Sequence, residues 1–307
     1  MILCCGEALI DFLPREGKDG ASLYQPVNGG SVYNTTIALG RLDVPVGLFA
    51  GISTDFFGDG LLQGLSDSKV SLRYIRKKPH HTTLAFVKLQ DGHARYSFID
   101  DASAGRNLVK ADMPRLGKDV TALHFGSISL IPEPEGSTYE ALQKREAKTR
   151  VISIDPNIRP SQIKDRKRHL ARLARMMALS DIVKISDEDV KWMTGKQDFA
   201  AAARKWLKAG AKVVAVTRGG DGVEVFARGI ALSLPAPRVK VADTVGAGDT
   251  FTAGFLCHLQ REGLLGKKAI AALDERQLRA AADFAMRCAA VTVSRPGADP
   301  PWAAEVS

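Results

Sequence analysis

"RVISIDPNIRPSQIKDRKRHLARLARMMALSDIVKIS", residues 150–186, contains one complete unit of the predicted fold. Its two ends, 150–155 and 181–186, are short apolar runs that are typical of strands buried on both faces. Between them, residues 164–179 have the apolar spacing of a helix. A strand, a helix and a second strand in this order predict a parallel βαβ unit.

The same alternation extends along most of the chain. Further strand-like runs occupy 2–5, 46–52, 122–130 and 212–217, and helical spacing recurs at 31–42, 134–148, 187–194 and 198–209. The pattern predicts an α/β fold with a mostly parallel central sheet between helices. In the C-terminal third, a helical stripe is interpreted as core packing: Ile270, Leu273, Leu278, Ala281, Ala285 and Cys288.

Two segments interrupt this alternation. Residues 82–100 contain two strand-like runs separated by Asp91 and Gly92, which is a strong hairpin signal. Residues 11–30 are also turn-rich and helix-poor, so both segments are predicted to form a small β-sheet that serves as a lid. The predicted lid comprises 11–30 and 81–103, and the large domain comprises 1–10, 31–80 and 104–307.

Composition limits the class of protein. The 307 residues are 45% hydrophobic, which is enough for a sizeable core, and the formal net charge of +9 lies in clusters without a nucleic-acid motif. We expect no nucleic-acid partner, although positive charge favours anionic substrates. The four cysteines form no C-x-x-C pair, and no segment resembles a signal peptide or a membrane span. The sequence therefore predicts a cytoplasmic protein that has no membrane partner.

The segment "DTVGAGDTF", 243–251, has the residues that phosphoryl transfer requires. Gly246, Ala247 and Gly248 have small side chains or none, so their backbone N–H groups can approach an anion at a helix start. A carboxylate beside such an anion cradle suits a base, which makes Asp249 the candidate proton acceptor. The alternative is that Asp and Gly only cap a helix.

Other polar residues follow the predicted strands, where open α/β sheets place ligands. "GEALID" brings Asp11 to this edge, and "NGGSVYN" brings Gly29, Gly30 and Asn34 to the start of a helix. Their acid, amide and bare backbone groups suit ligand hydroxyls, although each residue alone is equally typical of a turn.

Two further loops suit a nucleotide. "TRGGDG", 217–222, offers Thr217, Gly219 and Gly222 to phosphate or ribose, although an ordinary hairpin turn explains it equally well. In "KISDED", 184–189, a lysine can contact phosphate and carboxylates can hold Mg²⁺ through its waters. Alternatively, this segment is a helix start. The chain contains no G-x-x-x-x-G-K-[ST] loop, no G-x-G-x-x-G dinucleotide motif after the first strand and no H-R-D, which disfavours those phosphate-binding families.

Three ordered motifs resemble those of the ribokinase-like (PfkB-type) carbohydrate kinases. "DTVGAGDTF" is similar to the family's D-T-x-G-A-G-D signature, "NGGSVYN" to its Gly-Gly-x-x-x-Asn element, and "GISTDFFG" to its G-x-x-x-D-x-x-G element. The likeness covers essentially the whole chain, and "HFGSISL", "SIDPNIRP" and "KISDED" look most like bacterial fructokinases. The resemblance implies a three-layer α/β/α fold with a small β lid.

The resemblance also implies roles for individual residues. Asp249 would be the base, and the amides of Gly246, Ala247 and Gly248 would form the anion hole. The sugar side would comprise Asp11, Gly29, Gly30, Asn34, Phe98, Arg106 and Arg159. The nucleotide side would comprise Lys184, Ser186, Thr217, Gly219, Gly222, Gly246 and Gly248.

For the ions, the resemblance implies Mg²⁺ with ATP, held through water by Asp189, and a K⁺ loop organised by Asp243. The family's N-x-x-E element falls on Ser186 to Asp189, so serine replaces asparagine and aspartate replaces glutamate. Where relatives place an asparagine near adenine, this chain has Cys288, which leaves the selectivity for the base open.

The expected activity is ATP-dependent phosphorylation of fructose. The alternatives are a 2-keto-3-deoxygluconate kinase, whose acidic substrate would need Arg95, Arg106 or Arg159, and then a ribokinase or nucleoside kinase. From another class, a sugar sensor without turnover is the rival. The sequence leaves open whether the chain is a monomer or a homodimer formed through the lid.

Overall fold

The computed structural model describes residues 1–17, 19–90 and 93–306, and within them the side chains outside 88–96. Fourteen strands are present in this part of the chain: β1 (Ile2–Cys5), β2 (Leu9–Glu16), β3 (Ser22–Gly29), β4 (Val46–Phe49), β5 (Gly51–Ser53), β6 (Arg76–Lys78), β7 (Leu84–Gln90), β8 (His93–Ile99), β9 (Ala122–Gly126), β10 (Val151–Asp155), β11 (Ile182–Ser186), β12 (Val213–Thr217), β13 (Val223–Ala227) and β14 (Ile230–Leu234). The same part has nine α-helices: α1 (Ser31–Arg41), α2 (Phe56–Asp67), α3 (Glu135–Glu146), α4 (Arg166–Ala178), α5 (Asp187–Thr194), α6 (Phe199–Ala209), α7 (Ala247–Arg261), α8 (Lys267–Ala271) and α9 (Glu275–Val293).

Eight strands form the central sheet, in the order β14-β13-β12-β11-β10-β9-β1-β4. The six strands from β12 to β4 pair in parallel, and β13 and β14 add an antiparallel edge. Every residue of β1, β9 and β10 is buried, as strands covered on both faces require. The predicted α/β fold with a mostly parallel sheet is therefore confirmed.

Two apolar layers flank this sheet because successive strand residues point to opposite faces. In β1, Ile2 and Cys4 join a core with residues of α1, α2, α7, α8 and α9. Leu3 and Cys5 join the opposite core with residues of α3, α4, α5 and α6. Burying each large aliphatic side chain stabilises the fold by about 1.5–3 kcal/mol. Because alternate strand residues are buried on opposite faces, each short strand stabilises both layers of helices.

Two predicted strands are shorter than expected. The run 46–52 divides into β4 and β5, which belong to different sheets, and Gly51 allows this because an added Cβ would lie 2.2 Å from the Ala104 carbonyl oxygen. The run 122–130 ends as a strand at Gly126 and continues as a 3₁₀ turn. Ser127 has a left-handed φ of 62°, which no regular strand contains. A single strand was therefore the wrong prediction for each of these runs.

The antiparallel edge formed by β13 and β14 was missed from the sequence. "TRGGDG" joins β12 to the antiparallel β13, as a hairpin connection does. Arg228 and Gly229 then turn the chain between β13 and β14, with Gly229 at a φ of 74°. The Gly-containing turn was the available signal for this second hairpin.

The small sheet has the order β3-β2-β7-β8. It consists of two antiparallel hairpins, β2–β3 and β7–β8, joined by parallel pairing of β2 with β7. The hairpin predicted over 82–100 is thus present, although Asp91 and Gly92 lie outside the described residues. Phe12 and Phe86 stack with ring centroids 4.7 Å apart, which fixes β2 against β7.

No helix in the described ranges combines the length and the apolar character that crossing a membrane requires.

Candidate active site

A cavity of about 960 Å³ opens where strands of the central sheet reach their carboxyl ends. Ser186 and Thr217, the last residues of β11 and β12, contribute to its wall. The small sheet contributes Asp11 from β2 and Phe98 from β8. The volume lies within the range of about 300–1,000 Å³ that is usual for small-molecule sites. The cavity therefore lies where open α/β sheets bind ligands.

Asp249 is a cavity carboxylate that is held through both of its oxygens. It lies in the first turn of α7, and its side chain reaches the first turns of α1, where Ser31 Oγ donates to Oδ1 at 2.6 Å and Asn34 Nδ2 donates to Oδ2 at 3.0 Å. Thr35 Oγ1 donates to the Asp249 backbone carbonyl at 3.4 Å. Both carboxylate oxygens are therefore fixed in direction by residues of a second helix.

Burial raises the pKa of Asp249 above its ordinary value, and the hydrogen bonds from Ser31 and Asn34 oppose that rise. A carboxylate with a raised pKa holds a proton more readily than one in water. Asp249 thus combines a fixed geometry with the increased basicity that a proton acceptor needs.

The start of α7 forms the rest of this end of the cavity. Gly246 is its N-cap, with a left-handed φ of 77°, and no side chain caps the helix. N–H groups in the first turn of an α-helix lack partners within the helix and carry its positive dipole end. Gly248 lines the cavity, and a Cβ there would lie 2.8 Å from Lys184 Nζ. A glycine here leaves the backbone open to an anion and leaves Lys184 in its observed position.

Lys184 is buried beside this helix start and forms an ion pair with Asp155, at 2.8 Å from Nζ to Oδ2. Burial alone would lower the pKa of Lys184, but the carboxylates of Asp155, Asp249 and Asp189 together outweigh it and raise the pKa. The lysine is therefore a fixed positive charge between Asp155 and Gly248.

Ser186 and Asp189 lie on the other side of Lys184. Ser186 caps α5, its Oγ accepting the Asp189 N–H at 3.1 Å, so the helix-start interpretation of "KISDED" is confirmed. Asp189 nevertheless lines the cavity, and its Oδ1 accepts the Ile158 N–H at 3.2 Å. Burial, with Asp155 nearby, raises the pKa of Asp189 to about 7. These residues are part of the helix cap and of the cavity at once.

On the small sheet, Asp11 lies beside two glycines. A Cβ on Gly29 would lie 2.1 Å from Asp11 Oδ2, so this glycine makes room for the carboxylate, and Gly30 lines the cavity as the N-cap of α1. Burial raises the pKa of Asp11 to about 7, against the nearby Arg159, which lowers it. The structure places Asp11 inside β2, in the small sheet, although the sequence suggested the end of β1.

Glu7 is a cavity residue that sequence reasoning missed. Its Oε1 accepts the N–H groups of Ser31 at 2.9 Å and Val32 at 3.4 Å, so a side chain from the β1–β2 connection caps α1. Burial raises the pKa of Glu7. The available signal was its position two residues after β1, at the carboxyl edge of the sheet. Further missed residues line the cavity or contact its lining: Ser31, Ser127, Ile128, Asp155 and Asn157.

Most residues singled out in the sequence meet in this one cavity: Asp11, Gly30, Asn34, Phe98, Arg159, Lys184, Ser186, Asp189, Thr217, Gly246, Gly248 and Asp249. Gly29 lies next to the cavity residue Asp11, and Ala247 is the first residue of α7. Arg106 lines a second cavity and is paired there with Asp100 and Asp101.

Gly219 and Gly222 are not among the residues that line the main cavity. Gly222 has a φ of 93°, and a Cβ there would lie 2.0 Å from the Leu234 carbonyl oxygen, so close packing against the residues after β14 explains this glycine. Gly219 follows Thr217 in the connection to β13. A nucleotide contact at either glycine stays a prediction.

Asp243 organises a loop next to α7. Its Oδ1 accepts the Val245 N–H at 3.0 Å, and its Oδ2 accepts the Gly297 N–H at 2.9 Å. The carboxylate thereby ties the segment before α7 to the segment after α9.

The described side chains include no group of three or more His, Cys, Asp or Glu residues that could enclose a metal ion. Magnesium with a nucleotide does not need such a group, because it keeps several waters and is held by phosphates and one or two carboxylates. Glu188 and Asp189 line the cavity and provide oxygen donors of this kind. The residues therefore fit an ion that arrives with a nucleotide.

Known proteins resemble this chain along its whole length. The sequence pattern of the "pfkB family carbohydrate kinase" matches residues 1–305. The fructokinase of Rhizobium leguminosarum bv. trifolii is 52% identical over 279 residues, covering 91% of this chain and 86% of the relative.

Among solved structures, the fructokinase of Xylella fastidiosa with bound ATP has a TM-score of 0.92 at 27% identity and covers 99% of this chain and 96% of its own. A double mutant of the fructokinase of Vibrio cholerae O395, in a form that binds fructose, ADP and a potassium ion, has a TM-score of 0.85 at 26% identity. It covers 97% of this chain and 93% of its own.

Proposed function

Since the chain belongs to the pfkB family of carbohydrate kinases, we propose that it is a fructokinase. It transfers the γ-phosphoryl group of ATP to the 6-hydroxyl of D-fructose. The observation that carries the proposal is the meeting of Asp249, Gly248 and Lys184 in one cavity. A base, an anion cradle and a fixed cation together provide what phosphoryl transfer to an alcohol requires.

Asp249 takes the proton of the sugar hydroxyl as the hydroxyl oxygen attacks phosphorus. Ser31 and Asn34 hold the carboxylate in position, and its raised pKa makes it a stronger proton acceptor than an exposed aspartate. The sugar oxygen keeps the electron pair of its O–H bond and forms a bond to the γ-phosphorus. The bond from the γ-phosphorus to its bridging oxygen breaks, and ADP leaves with the bridging oxygen and the electron pair of the broken bond.

The helix start stabilises the charge on the transferring group. The amides of Gly246, Ala247 and Gly248 form the anion hole, and Lys184 adds a positive charge whose position Asp155 fixes. Asp155 and the backbone of α7 hold these groups in position, so little reorganisation should accompany the reaction.

The acceptor lies between Asp249 and the small sheet. Asp11, Asn34 and the Gly30 backbone contact its hydroxyl groups, and Arg159 lies at the same end. Phe98 from β8 offers an apolar surface to the carbon side of the sugar. The small sheet acts as a lid that excludes water, which would otherwise compete as acceptor.

ATP is the donor, and it enters with Mg²⁺. Thr217 and Ser186 line the nucleotide side of the cavity, and Asp189 and Glu188 provide carboxylates for the waters of the ion. When bound, Mg²⁺ neutralises phosphate charge. The Asp243 loop between α7 and the segment after α9 is the candidate K⁺ site, in line with the potassium ion bound by the Vibrio cholerae fructokinase.

An acidic acceptor such as 2-keto-3-deoxygluconate is disfavoured by the partners of Arg106. This arginine pairs with Asp100 at 3.3 Å and Asp101 at 3.2 Å, and it does not line the main cavity. Arg159 does line it, beside the Asp11 carboxylate. The side chain of Arg95 lies outside the described ones. A neutral ketose fits this balance of charges better than a carboxylic acid does.

The position of the new phosphate tests the proposal directly. The enzyme, Mg-ATP and fructose labelled with ¹³C at C6 are incubated, and the product is followed by ¹³C and ³¹P NMR. We expect the C6 signal to acquire phosphorus coupling as ADP appears. ADP release without phosphorus coupling at C6, or no phosphorylated sugar at all, would contradict the assignment.

A further inference from the structure

A second cavity, of about 370 Å³, adjoins the first, and Phe98 and Ile128 line both. Its volume lies within the range of sites that hold small molecules, about 300–1,000 Å³. Its walls come from the end of β8, the turn that follows β9, and the start of α4. A molecule in the main cavity and one in this second cavity would therefore be neighbours across two shared side chains.

The charges around the second cavity largely neutralise one another. Four cationic side chains and four carboxylates line it, and several of them are paired within its wall. Arg106 pairs with Asp100 and Asp101, and Arg168 pairs with Glu133 at 2.7 Å. An ion that bound Arg106, Arg168 or Glu133 would have to break such a pair, whereas a neutral molecule with hydroxyl groups can hydrogen-bond to the outer edges of the pairs.

The remaining wall is apolar and includes a buried polar atom that lacks a partner. Phe98, Ile131, Pro132 and Ile163 form the apolar part. Within the described part of the chain, Nδ1 of His169 has no hydrogen-bond partner, although the residue is only 5% exposed. Burial, with Arg172 nearby, lowers the pKa of His169 to about 4, so the ring is neutral at pH 7 and adds no charge to the wall.

We propose that the second cavity is a subsite for a neutral sugar ring, adjacent to the acceptor site. A sugar ring combines C–H faces, which suit Phe98 and the isoleucines, with hydroxyl groups, which suit paired charges and a neutral imidazole. The ring is either a second free hexose or the second ring of a disaccharide whose fructosyl ring occupies the acceptor site. The inference rests on the proposed function for the identity of the neighbouring acceptor.

The test uses two probes and a variant that fills the cavity. Gln162 lines the second cavity but not the first, so Gln162→Trp blocks the proposed subsite. Lys167→Trp is the matched control, because Lys167 is exposed on α4 and lines neither cavity. Ile131→Trp fills the same space from another element and serves if the first variant does not fold. Circular dichroism establishes folding for each variant.

Equilibrium dialysis with radiolabelled fructose tests the free hexose. We expect the wild type and Lys167→Trp to bind two molecules per chain, and Gln162→Trp to bind one. Coupled ADP release with sucrose, whose fructosyl ring keeps its 6-hydroxyl, tests the linked ring. If the second ring of sucrose occupies the subsite, Gln162→Trp should raise the KM for sucrose at least about tenfold. The same variant should change kcat/KM for fructose less than about twofold.

Either result supports the subsite and identifies its source. A single fructose per chain in the wild type, together with equal responses to sucrose in Gln162→Trp and Lys167→Trp, would overturn it. Turnover of fructose in the same preparations tests the proposed function separately. Loss of the subsite with normal fructose turnover therefore contradicts only this inference.

Discussion

The two ends of the main cavity are built differently. At the α7 end, Asp249 and Lys184 are buried, and they are tied to side chains of α1 and β10. At the other end, β2 and β3 belong to a four-stranded sheet, and most residues of β3 are exposed. We infer that the chemistry depends on the buried end, whereas the choice of acceptor depends on the exposed sheet.

This difference has a physical basis. Reacting groups must be held within a fraction of an ångström, and buried side chains on helices and buried strands meet this demand. If the small sheet closes over the acceptor, it must instead be able to separate and return, which a sheet with few buried contacts permits. Changes at the buried end should therefore alter kcat, and changes in the small sheet should alter binding and specificity.

Asp249→Asn should produce the largest effect. Asparagine keeps the size of the side chain but cannot accept the proton, so kcat should fall by roughly 10²–10⁴-fold. The affinity for fructose, measured by calorimetry, should change little. Asp283→Asn, at an exposed position on α9, is the matched control and should keep wild-type kcat. A near-normal kcat for Asp249→Asn would remove the base assignment.

Gly248→Val should have the next largest effect on kcat. The expected reduction is about 10²–10³-fold, which is the usual cost of losing one anion-hole donor. An added Cβ would lie 2.8 Å from Lys184 Nζ and displace the lysine from the helix start. Gly266→Val is the control, because no atom lies within 4 Å of the position where its Cβ would be. If a folded Gly248→Val enzyme turned over normally, the helix start would not form the anion hole.

Asp11→Asn should have a smaller effect. It should change the free energy of unfolding, and the change should depend on pH. Burial raises the pKa of Asp11 to about 7, above its value near 4 in an unfolded chain. Between these values the folded protein binds more protons than the unfolded one, so stability falls as pH rises.

Asparagine cannot ionise, so urea unfolding should show Asp11→Asn to be more stable than the wild type at pH 8, by on the order of 1 kcal/mol. At pH 4 the difference should be much smaller, because Asp11 is then protonated in the folded state. An equal change at the two pH values would mean that burial does not destabilise the Asp11 carboxylate.

Hydrogen exchange of the small sheet should show the smallest effect. If this sheet closes over the acceptor, saturating fructose should slow the exchange of backbone amides in 84–87 and 97–99 severalfold. Amides of β14, at the far edge of the central sheet, should exchange at unchanged rates. Equal rates in the small sheet with and without fructose would show that it is a fixed wall.

Much of this architecture could be predicted from local patterns. Short apolar runs between helical segments identify the parallel strands, and the glycines around Asp249 mark the start of α7, because each signal lies within a few neighbouring residues. The boundaries of 31–41 and 187–194 were recognised to within one residue for the same reason.

Contacts between distant segments could not be read in this way. Glu7 caps a helix 24 residues away, and Ser31 contacts Asp249 across 218 residues. Gly51 leaves the central sheet at a place that depends on the Ala104 backbone. The burial of His169 depends on how α4 packs. These features follow from tertiary packing, which local spacing does not encode.

The most direct test of the central claim is the rate of ADP release from Mg-ATP with different acceptors. Purified enzyme is assayed with fructose, ribose, glucose, adenosine and 2-keto-3-deoxygluconate, each with and without K⁺. The proposed function predicts the highest kcat/KM for fructose. A higher value for 2-keto-3-deoxygluconate would contradict it and make Arg159 a carboxylate ligand, and sugar binding without any turnover would instead indicate a sensor.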